Sequence, residues 1–410
     1  MSAVTAKGPI DIIQRAWKTE LKPTAVQIEH CARACGVARF VYNWGLEQRK
    51  RAYEERGETL SAFTLGKMLN AIKLVEYPWL LEVSKCVPEY ALRNLDLAFK
   101  HFFRRIKQGG EKPGFPRFKS RHRGMGGFTL NGSIHIESRR IRLPRVGWIG
   151  LKESGYLPQG VRVISATVSE QAGRWFVSVQ AAVEQTITPA TGEPVGVDVG
   201  VAVLATVSDG RTFANPKALR ASGRRLKRAQ RVLSRRQKGS KRRDRAKARV
   251  AKLHYRVGCI REDAIHKATS ALVARAKPDA ERPSAIGIED LNVTGMLKNH
   301  CLAAAISDAS FGEFRRQLEY KAVWGGSDVV VADRFYPSSK RCSACGAVRE
   351  TLDLSERMFL CTACGLVMDR DLNAAVNLWM LAGGSPESLN GRGGHVRLAE
   401  GIVPEGSGVR

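Results

Sequence analysis

Four cysteines near the C-terminus constrain this chain more than any other feature. They fall as Cys342-x₂-Cys345, then fifteen residues, then Cys361-x₂-Cys364, within KRCSACGAVRETLDLSERMFLCTACG. Two thiol pairs at that spacing suit one tetrahedral Zn²⁺, and the β-like RMFL between them suits a zinc ribbon, here 335–368. Four thiolates fill the tetrahedron, so the metal is structural and no position stays open for catalysis. A dithiol redox role fits the two pairs less well. The other five cysteines, Cys31, Cys35, Cys86, Cys259 and Cys301, are scattered and read as small apolar residues.

The ribbon sits between acidic segments of an unusual kind. EPVGVDVGVAVLATVSDG, from Glu193, reads as strand, tight turn and strand. Alternation puts Gly196, Asp198 and Gly200 on one face and Val195, Val197, Val199 and Val201 on the other, buried one. The acidic face lacks bulk, as where a ligand or another backbone comes close. The bland alternative is a solvated edge-strand aspartate beside turn glycines. PSAIGIEDLNVTG repeats the pattern: a buried strand ends in Glu289, with Ala285 and Gly287 on its face. After the last cysteine, VMDRDLNAAVNLWML gives a helical stripe of Ala374, Ala375, Leu378 and Leu381 with Asp369 and Asp371 at its start. Either aspartate can serve as N-cap, and Asp369 suits that role better. Asp371 can point back toward a sheet. Three carboxylates on two strand ends and a helix start match the hard oxygen ligands of a Mg²⁺ pair that cuts phosphodiesters. The chain has no G-x-x-x-x-G-K-[ST] loop and no H-E-x-x-H motif, which removes support for nucleotide hydrolysis and zinc-protease chemistry.

Charge points to the partner. Lys plus Arg number 67 against 39 Asp plus Glu, a net charge of +28. A compact chain so charged repels itself unless a polyanion neutralises it, and nucleic acid is the expected polyanion, ahead of a membrane surface. From Arg220 to Arg261 there are 18 basic residues and one acid, Asp244. Apolar residues at Leu226, Ala229 and Leu233, then Ala246, Val250, Leu253, Val257 and Ile260, predict two amphipathic helices. RRQKGSKRR breaks the phase as the hinge of a hairpin, and the second helix continues through EDAIHKATSALVARA. Arg224, Arg228, Arg231, Arg235, Arg236, Lys238, Lys241, Arg242 and Arg243 are its candidate phosphate contacts. No apolar run reaches the roughly 18 residues of a bilayer span, and no signal-peptide core opens the chain. A cytoplasmic protein with reduced thiols is expected.

Upstream, helical periodicity runs over about 24–51, 60–72 and VPEYALRNLDLAFKHFFRRI. In the last, Tyr90, Leu92, Leu95, Phe99, Phe102, Phe103 and Ile106 form a stripe read as core. KQGGEKPGFPRFKSRHRGMGG breaks the helix into a basic loop, where Lys119 and Arg121 are further candidate phosphate contacts. Short strands from 128 to 184 predict an antiparallel, barrel-like module, to which residues 1–20 could add a strand. The Gly-, Pro- and Ser-rich segment from 383 onward reads as disordered.

In order, GVDVG, the basic helices, R-x-D-x-x-H-K (Arg261, Asp263, His266, Lys267), IGIEDLNV, YPSSKRCSACG, CTACG and DRDLNAAVNL resemble the TnpB family of transposon-encoded, RNA-guided DNA endonucleases, relatives of type V CRISPR effectors. These motifs cover about 196–378, and RFVYNWGLEQR and KPGFPRFKS extend the likeness upstream. The resemblance implies an α/β, RNase H-like (RuvC) nuclease domain with helical and zinc-ribbon insertions. It also implies an N-terminal β-barrel wedge domain interrupted by a helical recognition domain. The expected boundaries are 1–23 and 121–190 for the wedge, 24–120 for recognition, 191–334 and 369–382 for the nuclease, and 383–410 for the tail. Asp198, Glu289 and Asp371 match the family's catalytic carboxylates, and Asp369 the acid before the third. Two Mg²⁺, one Zn²⁺ and a noncoding guide RNA are the implied cofactors. Target double-stranded DNA is the implied partner, with one protein per RNA. A transposase, and an RNA-guided DNA-binding repressor without cleavage, are the rival functions.

Overall fold

The computed structural model describes residues 10–107, 114–353 and 355–383. Residues 1–9 and the tail from 384 onward lie outside that range, and with them part of the N-terminal strand expectation and nearly all of the disorder expectation. The chain divides into two compact units, 10–185 and 186 onward.

The first unit opens with β1 (Ile10–Lys22) and three helices, α1 (Ala25–Arg56), α2 (Ala62–Ile72) and α3 (Cys86–Lys107). A capping box starts α1: Thr24 Oγ1 accepts from the Gln27 amide at 3.4 Å, and Gln27 Oε1 accepts from the Thr24 amide at 3.0 Å. Then come β2 (Gly127–Leu130), β3 (His135–Ile136), β4 (Arg140–Leu143), β5 (Gly147–Leu151), β6 (Arg162–Gln171) and β7 (Arg174–Thr186). The seven strands form one sheet in the order β2-β6-β7-β1-β5-β4-β3. Thus β1 lies at its centre, antiparallel to β5. Helices and sheet share one core, in which Val41 and Leu46 of α1, Leu65 of α2 and Leu95 of α3 join Ile141, Ile149, Val168 and Val177 of the strands.

The aromatic stripe of α3 is only half core. Leu92 and Leu95 are buried, but Phe103 and Ile106 are each 49% exposed. The helix outruns its partners, and its last rings cover one another instead: Phe99, Phe102 and Phe103 gather with Phe115 at centroid distances of 5.2–6.2 Å.

The second unit is built on a five-stranded mixed sheet. Its strands are β8 (Val195–Asp198), β9 (Val203–Val207), β10 (Thr212–Ala214), β11 (Ala285–Ile288) and β12 (Asp328–Val331), in the order β10-β9-β8-β11-β12. β8 runs antiparallel to β9 and parallel to β11, and β11 parallel to β12. Between β10 and β11 stand α4 (Ala218–Ser234) and α5 (Lys241–Val273); between β11 and β12 come α6 (Val293–Met296), α7 (Ala303–Ala309) and α8 (Phe311–Gly325). The ribbon hairpin β13 (Met358–Leu360) and β14 (Val367–Asp369) leads into α9 (Arg370–Leu381). β8 is shorter than the valine pattern suggests. Val195 and Val197 are buried in the sheet core, while Val199 and Val201 lie past its end and pack against Ile306, Ala309 and Phe311. The strand stops because the chain turns at Gly200 to form the β8–β9 hairpin.

Of the scattered cysteines, Cys31, Cys35 and Cys86 are buried. Burial pushes the thiols of Cys31 and Cys35 up to about 11 and about 12, which keeps them neutral. Cys301 differs from the apolar expectation: it is exposed, because it precedes α7 on the wall of the cleft described next.

Candidate active site and metal centre

Asp198 ends β8, and Glu289 follows the last residue of β11. The two strands pair in parallel with Gly196 beside Gly287 and Val197 beside Ile288, so Glu289 comes next to Asp198 in register. The bare face predicted for both strands is filled by a backbone. α9 lies across it so closely that a Cβ at Gly196 would meet the Ala375 carbonyl and the Trp379 amide, and one at Gly287 the Leu378 carbonyl. This contact carries the first turn of α9, and Asp371 with it, to the strand ends. Asp369 is the N-cap, accepting from the amides of Asp371 and Leu372 at 2.9 and 3.0 Å. The three carboxylates face one open cleft of about 1130 Å³, which Lys340, Arg357 and Arg370 also line.

Burial holds the Asp198 carboxyl well above the usual carboxylate range, and the charges of Glu289 and Asp371 raise it further. Burial also raises Glu289, and Asp371 adds to the rise, while a hydrogen bond from Ser338 opposes it. Arg370 donates to Asp371 Oδ1 from Nε at 3.2 Å and from a terminal nitrogen at 3.1 Å. Asp198, Glu289 and Asp371 are each half-buried at this cleft, and the charges of Glu289 and Asp371 act against ionisation of Asp198. The donor set, three hard oxygens with surplus negative charge, therefore suits Mg²⁺.

The cysteine quartet is assembled as the spacing predicts. Sγ of Cys342 lies 3.6 Å from that of Cys364, and Sγ of Cys345 lies 3.6 Å from that of Cys361. A tetrahedron with Zn–S bonds of about 2.3 Å has edges of about 3.8 Å. Among the described residues this is the one group of three or more His, Cys, Asp or Glu whose ligand atoms all lie within 4.8 Å. Each pair sits on a tight turn closed by a glycine at positive φ, Gly346 at 76° and Gly365 at 75°, with the glycine amide donating to the Cys342 or Cys361 carbonyl at 2.9 Å. Amides of Cys364 and Ala363 help lower the Cys361 thiol to about 6, while the neighbouring Cys345 thiol and burial push Cys364 up to about 12.

In the basic hairpin, α4 and α5 pack through Leu226, Leu253 and Val257. Arg224, Arg228, Arg231, Arg235, Arg236, Lys238, Lys241 and Arg242 stand exposed on it. Arg243 differs: its guanidinium bonds the Leu233 and Arg236 carbonyls at 2.9 and 2.8 Å and closes the hairpin turn. In the first unit, Arg121 is exposed, and the Lys119 ammonium rests 4.0 Å from the Tyr42 ring centroid, with its pKa lowered by burial.

Sequence reasoning missed three groups. Ser338 donates to Glu289. Asn373 and Asn377 of α9 are fully buried and hold the segment entering the ribbon. Buried Asp308 accepts from the amides of Leu219 and Arg220 and from Arg261, tying α7 to both hairpin helices. The motifs DRDLNAAVNL, YPSSK and R-x-D-x-x-H-K contain most of these residues, but nothing in one sequence pairs them.

Family matches and relatives define a nuclease of the transposon-associated class. A family described as "Probable transposase" matches residues 176–300, and a "Cas12f1-like, TNB domain" matches 311–378. A helix-turn-helix description matches 13–58, although that span here is mostly β1 and the single unbroken α1. A Streptomyces pristinaespiralis protein named "Putative RNA-guided DNA endonuclease" is 38% identical over 387 residues, covering 93% of this chain and 92% of its own. InsQ of Escherichia coli K12, given the same designation, is 31% identical over 89% of this chain and 91% of its own. The chain belongs to the TnpB family of RNA-guided DNA endonucleases. Among solved structures, the Cas12f1–sgRNA–target DNA complex is 14% identical, covering 89% of this chain and 98% of that one at a TM-score of 0.35. The mini-RNA-guided endonuclease CRISPR-Cas_phi3 is 9% identical, covering 90% and 92% at 0.46.

Proposed function

We propose that this protein cuts double-stranded DNA chosen by a bound guide RNA, using Mg²⁺ at Asp198, Glu289 and Asp371. The observation that carries this reading is the trio itself: two strand ends and a helix start bring three acids together, with Asp198 and Glu289 made costly to ionise by burial and mutual repulsion. Mg²⁺ bound there would lower the pKa of an attacking water and stabilise the leaving oxygen. The protein's own side chains supply the rest. The exposed bases of α4 and α5 would hold a nucleic-acid backbone, and Lys340 and Arg357 at the cleft would draw the scissile strand toward the acids.

In this reading 186–383 is the RNase H-like nuclease, with the hairpin and the zinc ribbon as its insertions. The first unit supplies recognition and wedge functions, and its sheet the barrel. Base pairing by the guide selects the target, while the protein reads heteroduplex shape and a short flanking motif. Zn²⁺ holds the ribbon through Cys342, Cys345, Cys361 and Cys364. The protein acts in the cytoplasm.

The test is cleavage of a guide-matched plasmid by the protein–RNA complex. Cutting in Mg²⁺, with none in chelator or in Asp198→Ala, supports the reading. Undiminished cutting by Asp198→Ala would sink it. Joined strand-transfer products in place of free ends would favour the transposase named in the family description.

A further inference from the structure

The ribbon and the carboxylate trio are linked by buried polar contacts that neither needs for its own chemistry. Ser338, 3% exposed, donates its hydroxyl to Glu289 Oε1. The carbonyl of Ser338 accepts from Asn377 Nδ2 at 2.8 Å, and the same amide donates to the Arg341 carbonyl at 2.7 Å. One turn earlier on α9, Asn373 donates to the Arg341 carbonyl at 2.7 Å and accepts from the Ser343 amide at 3.0 Å. Neither asparagine has any exposure. Buried amides inside a helix are costly unless bonded. Asn377 Oδ1 has no partner among the described residues, so the Nδ2 bonds of Asn373 and Asn377 hold the 338–343 segment on α9. Cys342 sits inside that segment, and Asp371 lies two residues before Asn373.

The ribbon has little core of its own: Cys342, Phe359 and Cys361, with Ala347 and Leu366 beside them. Its shape therefore depends on its metal. Zn²⁺ held by Cys342 would fix the neighbouring Arg341 and Ser343, whose backbone groups bond Asn373 and Asn377 of α9, and Ser338 at the start of the same segment bonds Glu289.

We propose that Ser338 is a positioning residue for the Glu289 carboxylate, and that the zinc ribbon sets its place. The inference rests on the reading of Asp198, Glu289 and Asp371 as a divalent-metal site. Groups that orient a metal ligand commonly change metal affinity by about 10-fold or more when removed.

The test is Mn²⁺ binding to the full chain without nucleic acid, followed by electron paramagnetic resonance. Ser338→Ala should bind Mn²⁺ about 10-fold more weakly, with zinc content and melting temperature unchanged. Ser338→Thr, which keeps the hydroxyl, should recover most of the loss. Adding Ser338→Ala to Glu289→Gln should weaken binding no further than Glu289→Gln alone. Cys364→Ser alters an exposed ligand and leaves Ser338 intact, so it tests the ribbon's part even if Ser338→Ala misfolds; it should lower Mn²⁺ affinity together with zinc content. Wild-type Mn²⁺ affinity in Ser338→Ala, where Glu289→Gln is weakened, would overturn the positioning role. Wild-type affinity in a zinc-free Cys364→Ser would overturn the ribbon's part. If Glu289→Gln and Asp198→Asn both bind Mn²⁺ as the wild type does, the metal-site reading itself has failed.

Discussion

Gly196 faces the carbonyl oxygen of Ala375 with no room for a side chain between them. The contact is backbone to backbone, so neither partner can swing aside. Gly196→Ala or Gly287→Ala must push α9 off the sheet, and overpacking of this kind costs about 1–3 kcal/mol. Asp371 rides on the displaced helix, so cleavage should fall far more than stability does. By contrast, Gly223 and Gly258 stand in α4 and α5 with open space where a Cβ would go. Alanine there should stabilise by about 0.5–1 kcal/mol. Melting curves and cleavage rates for the four variants check both halves, and wild-type behaviour of Gly196→Ala would show that this packing does not place Asp371.

Asp369 and Asp371 should separate cleanly. Asp369→Ala removes the N-cap of α9, a loss of about 1 kcal/mol, and should leave measurable cleavage. Asp371→Ala should abolish cleavage with melting near wild type, since it also removes a charge that repels Asp198. Guide RNA and target binding should persist in both. Equal loss of cleavage from the two variants would mean that the cap, not a ligand, is what matters at this helix start.

Zinc should be present at one atom per chain. Cys342→Ser leaves three thiolates and should release it, opening 335–368 to protease while the sheet of β8–β12 stays protected. Metal analysis and limited proteolysis of the pure protein measure this. A zinc-free wild type with an intact ribbon would refute the assignment.

Much of this site was legible because its signals are local. The cysteine spacing predicts the ribbon, and alternation around Gly196 and Gly287 predicts close approach by a ligand or another backbone, which in the structure is the backbone of α9. Hairpin helices and hinge follow from a periodicity that breaks at RRQKGSKRR. What could not be read depends on distant pairing. Nothing local to Ser338 indicates Glu289 as its acceptor, and nothing local to Asp308 indicates the start of α4. The stripe of α3 misled because periodicity shows which residues share a face, not where the partner elements end. Phe103 and Ile106 lie past that point.

The basic hairpin gives the sharpest test of how nucleic acid is held. Arg235, Arg236, Lys241 and Arg242 are exposed around its turn. Phosphate contacts position a nucleic acid without reading it. Reversing all four to Glu should therefore weaken binding about equally for every guide and target, and flatten the salt dependence by roughly one unit of slope per lost contact. Arg243 should behave differently although it is the next residue. Its guanidinium already bonds the Leu233 and Arg236 carbonyls, so Arg243→Ala should lower the hairpin's stability, by about 1–3 kcal/mol, and change the salt slope little. Target binding against salt for two unrelated guides, together with hydrogen exchange across 230–245, measures both effects. A slope unchanged by the fourfold reversal would show that this face of the hairpin is only solvated.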